Sequence, residues 1–238
     1  MKMTKKKVLV IALAISLVAI LSMGTLAWFT DTDSAKNEFK VTNSDKTPDD
    51  VFSVDVTEFV ADDGETTEKS VTDGYTFEDI APGDLLTKRP FVTNKGAYDQ
   101  YIRVTVTISD QKAFADALGD NYDVASAFQG INTTDLVLVK SAIENDSLVY
   151  VYYVNKIVKP AESIKLFDSV EIPKGLTQQH VANEKLSDGV TENTLKDGFT
   201  IDIFAEAVQA DNTVTNATNL NSLEAAQEAF ATCGMALN

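Results

Sequence analysis

The chain has 238 residues, 44% of them hydrophobic, which is enough for a sizeable core and excludes a chain that is disordered throughout. Its 36 acidic and 20 basic residues leave a formal net charge of −16. A surface of that sign repels phosphate backbones, so nucleic acid is not an expected partner. The single cysteine, Cys233, cannot form an internal disulfide, and packing must stabilise the fold instead.

The chain begins with a basic segment followed by an apolar one. Four lysines lie among the first seven residues, and residues 8–23 are uncharged and almost entirely apolar. Thr25 and Ala27 are small and two residues apart, the pattern before a signal-peptidase cut. The sequence therefore predicts a signal peptide over residues 1–27, cleaved between Ala27 and Trp28. A membrane span needs about 20 apolar residues, and the run extends that far only if it reaches Trp28. An uncleaved membrane anchor is the alternative.

Alternating apolar and polar residues dominate the rest of the chain and predict β-strands with one buried face. The segment 101–108, YIRVTVTI, is the clearest case, and 51–60 and 199–208 follow the same pattern. The segments 135–140 and 147–158 are more continuously apolar, which predicts strands that are covered on both faces.

Turn residues separate the predicted strands. Pro82 and Gly83 predict a tight turn before Leu85. Residues 94–96, Asn-Lys-Gly, predict a turn that uses positive φ between two strands.

Two segments have helical patterns. Residues 109–119 have Ser109 or Asp110 as the expected N-cap and a glycine at their end. Residues 221–234 have Asn221 three positions before Glu224, the spacing of a capping box, and also end at a glycine. A third helical turn over residues 123–130 has weaker support.

Many strands with few helices predict a mainly β fold, an antiparallel β-sandwich with a few short helical insertions. No Pro-rich or Ser-rich linker divides the chain. We therefore expect three parts, which are the signal peptide over 1–27, an extended segment over 28–42 and a single β-sandwich domain over 43–238.

The residue types that support catalysis are scarce. The only histidine is His180, and Glu184 lies four residues after it, so the two can share a helix face. A catalytic zinc site needs about three protein ligands, which makes His180 and Glu184 a weak candidate pair, and His180 is expected to be a loop residue. Phosphate-binding and dinucleotide-binding glycine motifs are missing from the sequence. We expect no cofactor and no catalytic residues.

Three stretches of the sequence carry a family resemblance. They are AWFTDTDSAKNEF over 27–39, DIAPGDLLTKRPFVTNKGAYDQYIRVTV over 79–106, and YYVNKIVKPAESIKLFDSVEIP over 152–173. They resemble the TasA/camelysin family of exported proteins from Gram-positive bacteria. The resemblance covers most of the chain. It implies a jelly-roll arrangement of the sandwich and cleavage before Trp28 by a SipW-type signal peptidase.

The resemblance also implies a mode of assembly. TasA-like subunits are thought to form matrix fibres in which the mature N-terminal segment of one subunit completes a sheet of the next. Here that segment is residues 28–42, and its candidate donor side chains are Phe29, Ala35, Phe39 and Val41. The alternative is that the segment is the first strand of its own sandwich.

The expected function is therefore that of a secreted structural protein of the extracellular biofilm matrix. Its expected partners are other copies of itself and the signal peptidase, and it meets the membrane only through its signal peptide. Two alternatives remain open: a cell-surface metalloendopeptidase of the camelysin type, and a membrane-retained adhesion or binding module.

Overall fold

The computed structural model describes residues 30–34, 53–62, 64–78, 80–119, 124–176 and 199–237, and for residues 30–34 it describes the backbone alone. Eleven strands lie in these ranges: β1 (Thr30–Ser34), β2 (Val54–Ala61), β3 (Lys69–Val71), β4 (Leu85–Asn94), β5 (Gln100–Ile108), β6 (Phe128–Gln129), β7 (Leu136–Glu144), β8 (Ser147–Val154), β9 (Ser163–Lys165), β10 (Ser169–Glu171) and β11 (Ile201–Gln209). The helices are α1 (Gln111–Leu118) and α2 (Leu223–Thr232), and Val124–Ala127 forms a 3-10 turn.

The strands form two antiparallel sheets. In sheet A the order is β1-β11-β5-β8-β7, and in sheet B it is β3-β2-β4-β10-β6. The short strand β9 also pairs with β4. It pairs with residues 91–93 of β4, whereas β10 pairs with residues 85–87. The longest ladder joins β5 and β11, from Gln100 opposite Gln209 to Ile108 opposite Ile201.

The two sheets share one hydrophobic core, as in a β-sandwich. Alternate residues of β5 and β11, such as Val104 and Ile203, are buried against alternate residues of β2 and β4, such as Val56 and Val92. The predicted mainly β, antiparallel fold is confirmed. The alternation in the sequence produces it because successive side chains of a strand point to opposite faces of the sheet.

A second apolar cluster lies on the other face of sheet A. Helix α2 buries Ala226, Ala229 and Phe230 against Tyr101 of β5 and Tyr153 of β8. Strands β5 and β8 are therefore buried on both faces where α2 covers them. This agrees with the prediction for β8 and was not expected for β5.

Three local predictions are wrong. The N-cap of α2 is Ser222, whose hydroxyl accepts the N–H of Ala225, whereas the Asn221 side chain accepts the N–H of Ile157. The turn at residues 94–96 uses no positive φ, and in it the N–H of Gly96 donates to the side-chain Oδ1 of Asn94 at 2.9 Å. Strand β7 is not covered on both faces, since Leu138 and Ile143 are exposed.

Candidate assembly site at the edges of sheet A

Strand β11 positions β1 at one edge of sheet A. The register runs antiparallel from Thr30 opposite Val208 to Ser34 opposite Phe204. On its other side β11 pairs with β5 along all nine of its residues, so it is a fixed template for β1. The short strand β1 thus forms an edge of sheet A beside β11.

The sequence of β1 explains why this pairing can be exchanged. Its five residues, Thr-Asp-Thr-Asp-Ser, include no apolar side chain. Burial of apolar surface is the dominant favourable term in folding, and these residues have little to contribute to it. The backbone ladder with β11 is therefore the main interaction that the composition of β1 allows. The hydrogen bonds of such a ladder are the same whether β1 belongs to the same chain as β11 or to another chain.

The opposite edge of sheet A is β7. Among the described residues, β7 pairs with β8 alone, from Leu136 opposite Val154 to Glu144 opposite Ser147. The ladder has an irregularity between Leu138 and Lys140, as in a β-bulge. Sheet B ends in much shorter strands, since β3 has three residues and β6 has two.

A buried arginine ties the middle of sheet A to helix α2. The Nε of Arg103 donates to Oε2 of Glu206 on β11 at 2.8 Å, and one terminal nitrogen donates to the Met235 carbonyl at 2.8 Å. The guanidinium carbon lies 4.6 Å from the centre of the Phe230 ring. Burial lowers the pKa of Arg103, but its bonds to Glu206 and Tyr153 outweigh burial and leave the pKa above its ordinary value. The charge is therefore kept inside the fold.

A second contact holds the loop before α2. The carboxylate of Glu228 accepts the backbone N–H groups of Thr215 at 2.7 Å, Asn216 at 2.9 Å and Ala217 at 3.0 Å. The bond from Thr215 is the largest cause that lowers the pKa of Glu228, to about 2. The loop and the helix are thereby joined in the region that follows β11.

A buried ion pair joins two strands of sheet B. The Lys88 ammonium of β4 donates to both oxygens of Glu58 on β2, at 2.6 Å each, and both side chains are almost fully buried. Two hydrogen bonds to one carboxylate satisfy this pair in part, as a buried charge requires. The pair thus links β2 to β4 through their side chains as well as through their backbone ladder.

The residues that the sequence singles out as functional lie outside the described ranges. This holds for the cleavage pair Ala27 and Trp28, for the metal candidates His180 and Glu184, and for the donor side chains, which are Phe29, Ala35, Phe39 and Val41. The structure describes only the part of the predicted donor segment that lies between Phe29 and Ala35, and it places that part on β11.

The described ranges contain neither a metal site nor a membrane-spanning helix. No group of three or more His, Cys, Asp or Glu side chains is arranged to hold a metal ion there. No helix of that part of the chain is both long and apolar enough to cross a membrane. Cys233 is buried, and burial raises the pKa of its thiol.

Comparison with known proteins found no counterpart for this chain. No family model, no curated protein and no solved structure matches it. The function must therefore be argued from the geometry of the chain itself.

Sequence reasoning missed the residues that organise sheet A. The alternation places Arg103 on the face opposite Val104, and no role was expected for it. Tyr101 on the same face of the strand as Arg103, together with a late helix that carries an apolar stripe, was the available signal that this face is covered. The pairing of β1 with β11 could not be predicted from the sequence, because Thr-Asp-Thr-Asp-Ser has no apolar alternation that would indicate a strand.

Proposed function

We propose that the chain is a secreted structural protein of the extracellular matrix, a jelly-roll β-sandwich that assembles head to tail into fibres by donor-strand addition. The observation that carries the proposal is the position of Thr30–Ser34, which forms an edge strand on β11 just after the predicted cleavage site. An edge strand of this kind can leave its own sheet and pair with the same edge of another copy.

The proposed contact is heterologous, because residues near the new N-terminus of one copy bind β11 of the next. Contacts of this type repeat without closing and produce open filaments. The hydrogen bonds of β1 with β11 are equivalent within one chain and between chains. The residues of 28–42 that flank β1 then decide whether the segment pairs within its own chain or with a neighbour. The four apolar donor side chains would fill a groove of that neighbour.

Cleavage would control this assembly. Before the cut between Ala27 and Trp28, the apolar segment 8–23 holds the N-terminus at the membrane and keeps β1 from reaching a second copy. After the cut, the segment is free at one end. Sequencing the N-terminus of the secreted protein would test this step, and a first residue other than Trp28 would contradict it.

The fibre proposal is tested by three versions of the mature chain that begins at Trp28. The substitution Thr32→Pro removes a backbone donor in the middle of β1, and Thr66→Pro places the same residue in an exposed loop between β2 and β3. The third version lacks residues 28–42. We expect fibres by electron microscopy for the unchanged chain and Thr66→Pro, and none for Thr32→Pro or the truncated chain.

Folding is checked separately by near-ultraviolet circular dichroism. A synthetic peptide of residues 28–42 should bind the truncated chain, and a scrambled peptide should not. The proposal would be overturned if the truncated chain formed normal fibres. It would also be overturned if the truncated chain folded but did not bind the peptide.

A further inference from the structure

Strand β7 is a long edge strand that, among the described strands, pairs with β8 alone. It has nine residues, and its backbone groups on the side away from β8 face no other described strand. Ile143 is 60% exposed and Leu138 is 46% exposed. An edge with these properties is a template for pairing with another chain.

The features that usually prevent an edge strand from pairing with another chain are proline, charged side chains and β-bulges, and β7 has few of them. It contains no proline, and its two charges, on Lys140 and Glu144, cancel. Its one irregularity lies between Leu138 and Lys140, which leaves residues 140–144 as a regular strand. The tight turn at Asn145 and Asp146, both with positive φ, ends that strand. In a chain with a net charge of −16, a neutral edge is an unusual place where two copies can approach without repulsion.

The regular part of β7 is complementary to itself. A two-fold axis through Ala142 sets Lys140 opposite Glu144 of a second copy, and Glu144 opposite the second copy's Lys140. The same axis sets Ser141 opposite Ile143 and places the two small Ala142 side chains together. Opposite charges directly across an antiparallel pair are stabilising. Within one chain the Lys140 Nζ already lies 2.9 Å from Oε1 of Glu144, so the two groups can exchange partners without losing an ion pair.

Other two-fold registers fit less well. An axis through Lys140 sets the two lysines against each other, which is destabilising. An axis through Ile143 runs Lys140 into the turn at Asp146, where the strand has ended. An axis nearer Leu138 includes the irregularity.

We infer that two copies of the chain pair along β7, antiparallel and with the two-fold axis at Ala142, so that two A sheets become one continuous sheet. This contact is closed and symmetric, in contrast to the open contact proposed for β1. It uses the edge of sheet A that the proposed fibre contact does not use, and it stands whether or not fibres form.

The register is tested by a cross-link. Opposed residues of an antiparallel pair have Cα atoms about 4.5–5.5 Å apart, within the range that a disulfide spans. In a Cys233→Ser background, Ala142→Cys should form a disulfide-linked dimer under mild oxidation. Asp211→Cys, which lies in an exposed turn after β11, is the matched control. A cross-linking rate no greater than that of the control would overturn the inference, and head-to-tail contact through β1 would not produce this dimer.

The charges provide an independent test by sedimentation velocity over a concentration series. Lys140→Glu sets two like-charged pairs across the axis, and we expect the dimer dissociation constant to rise about tenfold. The double variant Lys140→Glu, Glu144→Lys restores both pairs and should restore dimerisation. Since Lys140 and Glu144 form a solvent-accessible ion pair, and such pairs contribute only about 0–1 kcal/mol to folding, the unfolding midpoints of both variants should stay close to that of the unchanged chain. If the double variant dimerises no better than the single one, the proposed register is wrong.

Discussion

Arg103 of β5 and Glu206 of β11 lie directly opposite each other, with the Arg103 Nε 2.8 Å from Oε2 of Glu206. The pair sits on the face of sheet A that helix α2 covers. It therefore connects the strand that carries β1 to the central strand of the sheet and to the C-terminal helix. A charge in this position is held by a carboxylate, a carbonyl and two aromatic rings.

Removal of Arg103 should uncouple α2 from sheet A. Arg103→Met leaves Glu206 largely buried without its partner, and breaking a buried pair in this way costs about 3 kcal/mol of unfolding free energy. Urea unfolding measures the loss. Limited proteolysis should also cut the variant after residue 220 sooner than the unchanged chain.

The control for this variant is Lys95→Met. Lys95 lies 3.9 Å from Asp55 in an exposed pair, and such pairs contribute about 0–1 kcal/mol. Equal effects from Arg103→Met and Lys95→Met would contradict a structural role for the buried arginine.

Glu228 should make the stability of the chain depend on pH. Its pKa is lowered from 4.5 to about 2 in the folded chain, so the unfolded chain binds the proton more readily. The stabilisation is therefore fully present above about pH 4.5 and is lost as the pH falls towards 2.

Glu228→Gln removes that ionisation. We expect a lower thermal midpoint than the unchanged chain at pH 7, and a difference that narrows steadily below pH 4.5. Gln227→Ala, on the exposed side of the same helix, removes no ionisable group and is the control, which should show no such trend. A difference that is constant from pH 7 to pH 3 would show that the carboxylate charge does not hold the loop.

Lys88 and Glu58 should behave as a unit in the interior. Lys88→Met leaves the Glu58 carboxylate buried and unpaired, and we expect a loss of about 3–5 kcal/mol. Changing both residues, as in Lys88→Met with Glu58→Leu, replaces the pair by apolar groups and should recover most of that loss. A double-mutant cycle by urea unfolding measures the coupling. Additive losses would indicate that the two side chains act independently.

The sequence predicted the strands well because period-two alternation reports directly on burial. Segments 101–108 and 199–208 became the central strands β5 and β11 with nearly the predicted bounds. It failed where burial depends on a distant element. Nothing local in the segment 135–140 distinguishes a strand with an exposed face from a strand covered on both faces. The elements that cover a strand are distant in the sequence, and the apolar run of 135–140 carries no information about them.

The candidate site was predicted only in part for a similar reason. The residues before and after the proposed cut define an N-terminal segment. Its pairing with β11, however, joins residues at least 170 positions apart and depends on the whole sandwich. The N-cap of α2 shows the same limit on a small scale. Asn221 and Ser222 are both good caps, and the tertiary contact of Asn221 with Ile157 decides between them.

Gly130 should be the least replaceable of the turn glycines. Its φ is +69°, and a Cβ at this position would overlap the carboxylate of Asp168, which lies beside it at the start of β10. Gly234, at φ +75°, has open space around the same position.

Gly130→Ala therefore adds a steric clash to the left-handed backbone penalty, whereas Gly234→Ala incurs only the penalty of about 1–2 kcal/mol. Urea unfolding should show the larger loss for Gly130→Ala, and Asp168→Ala in the same chain should reduce it to the Gly234→Ala level. If the two glycine variants lose equal stability, or if Asp168→Ala gives no relief, the close approach of Asp168 does not constrain this turn.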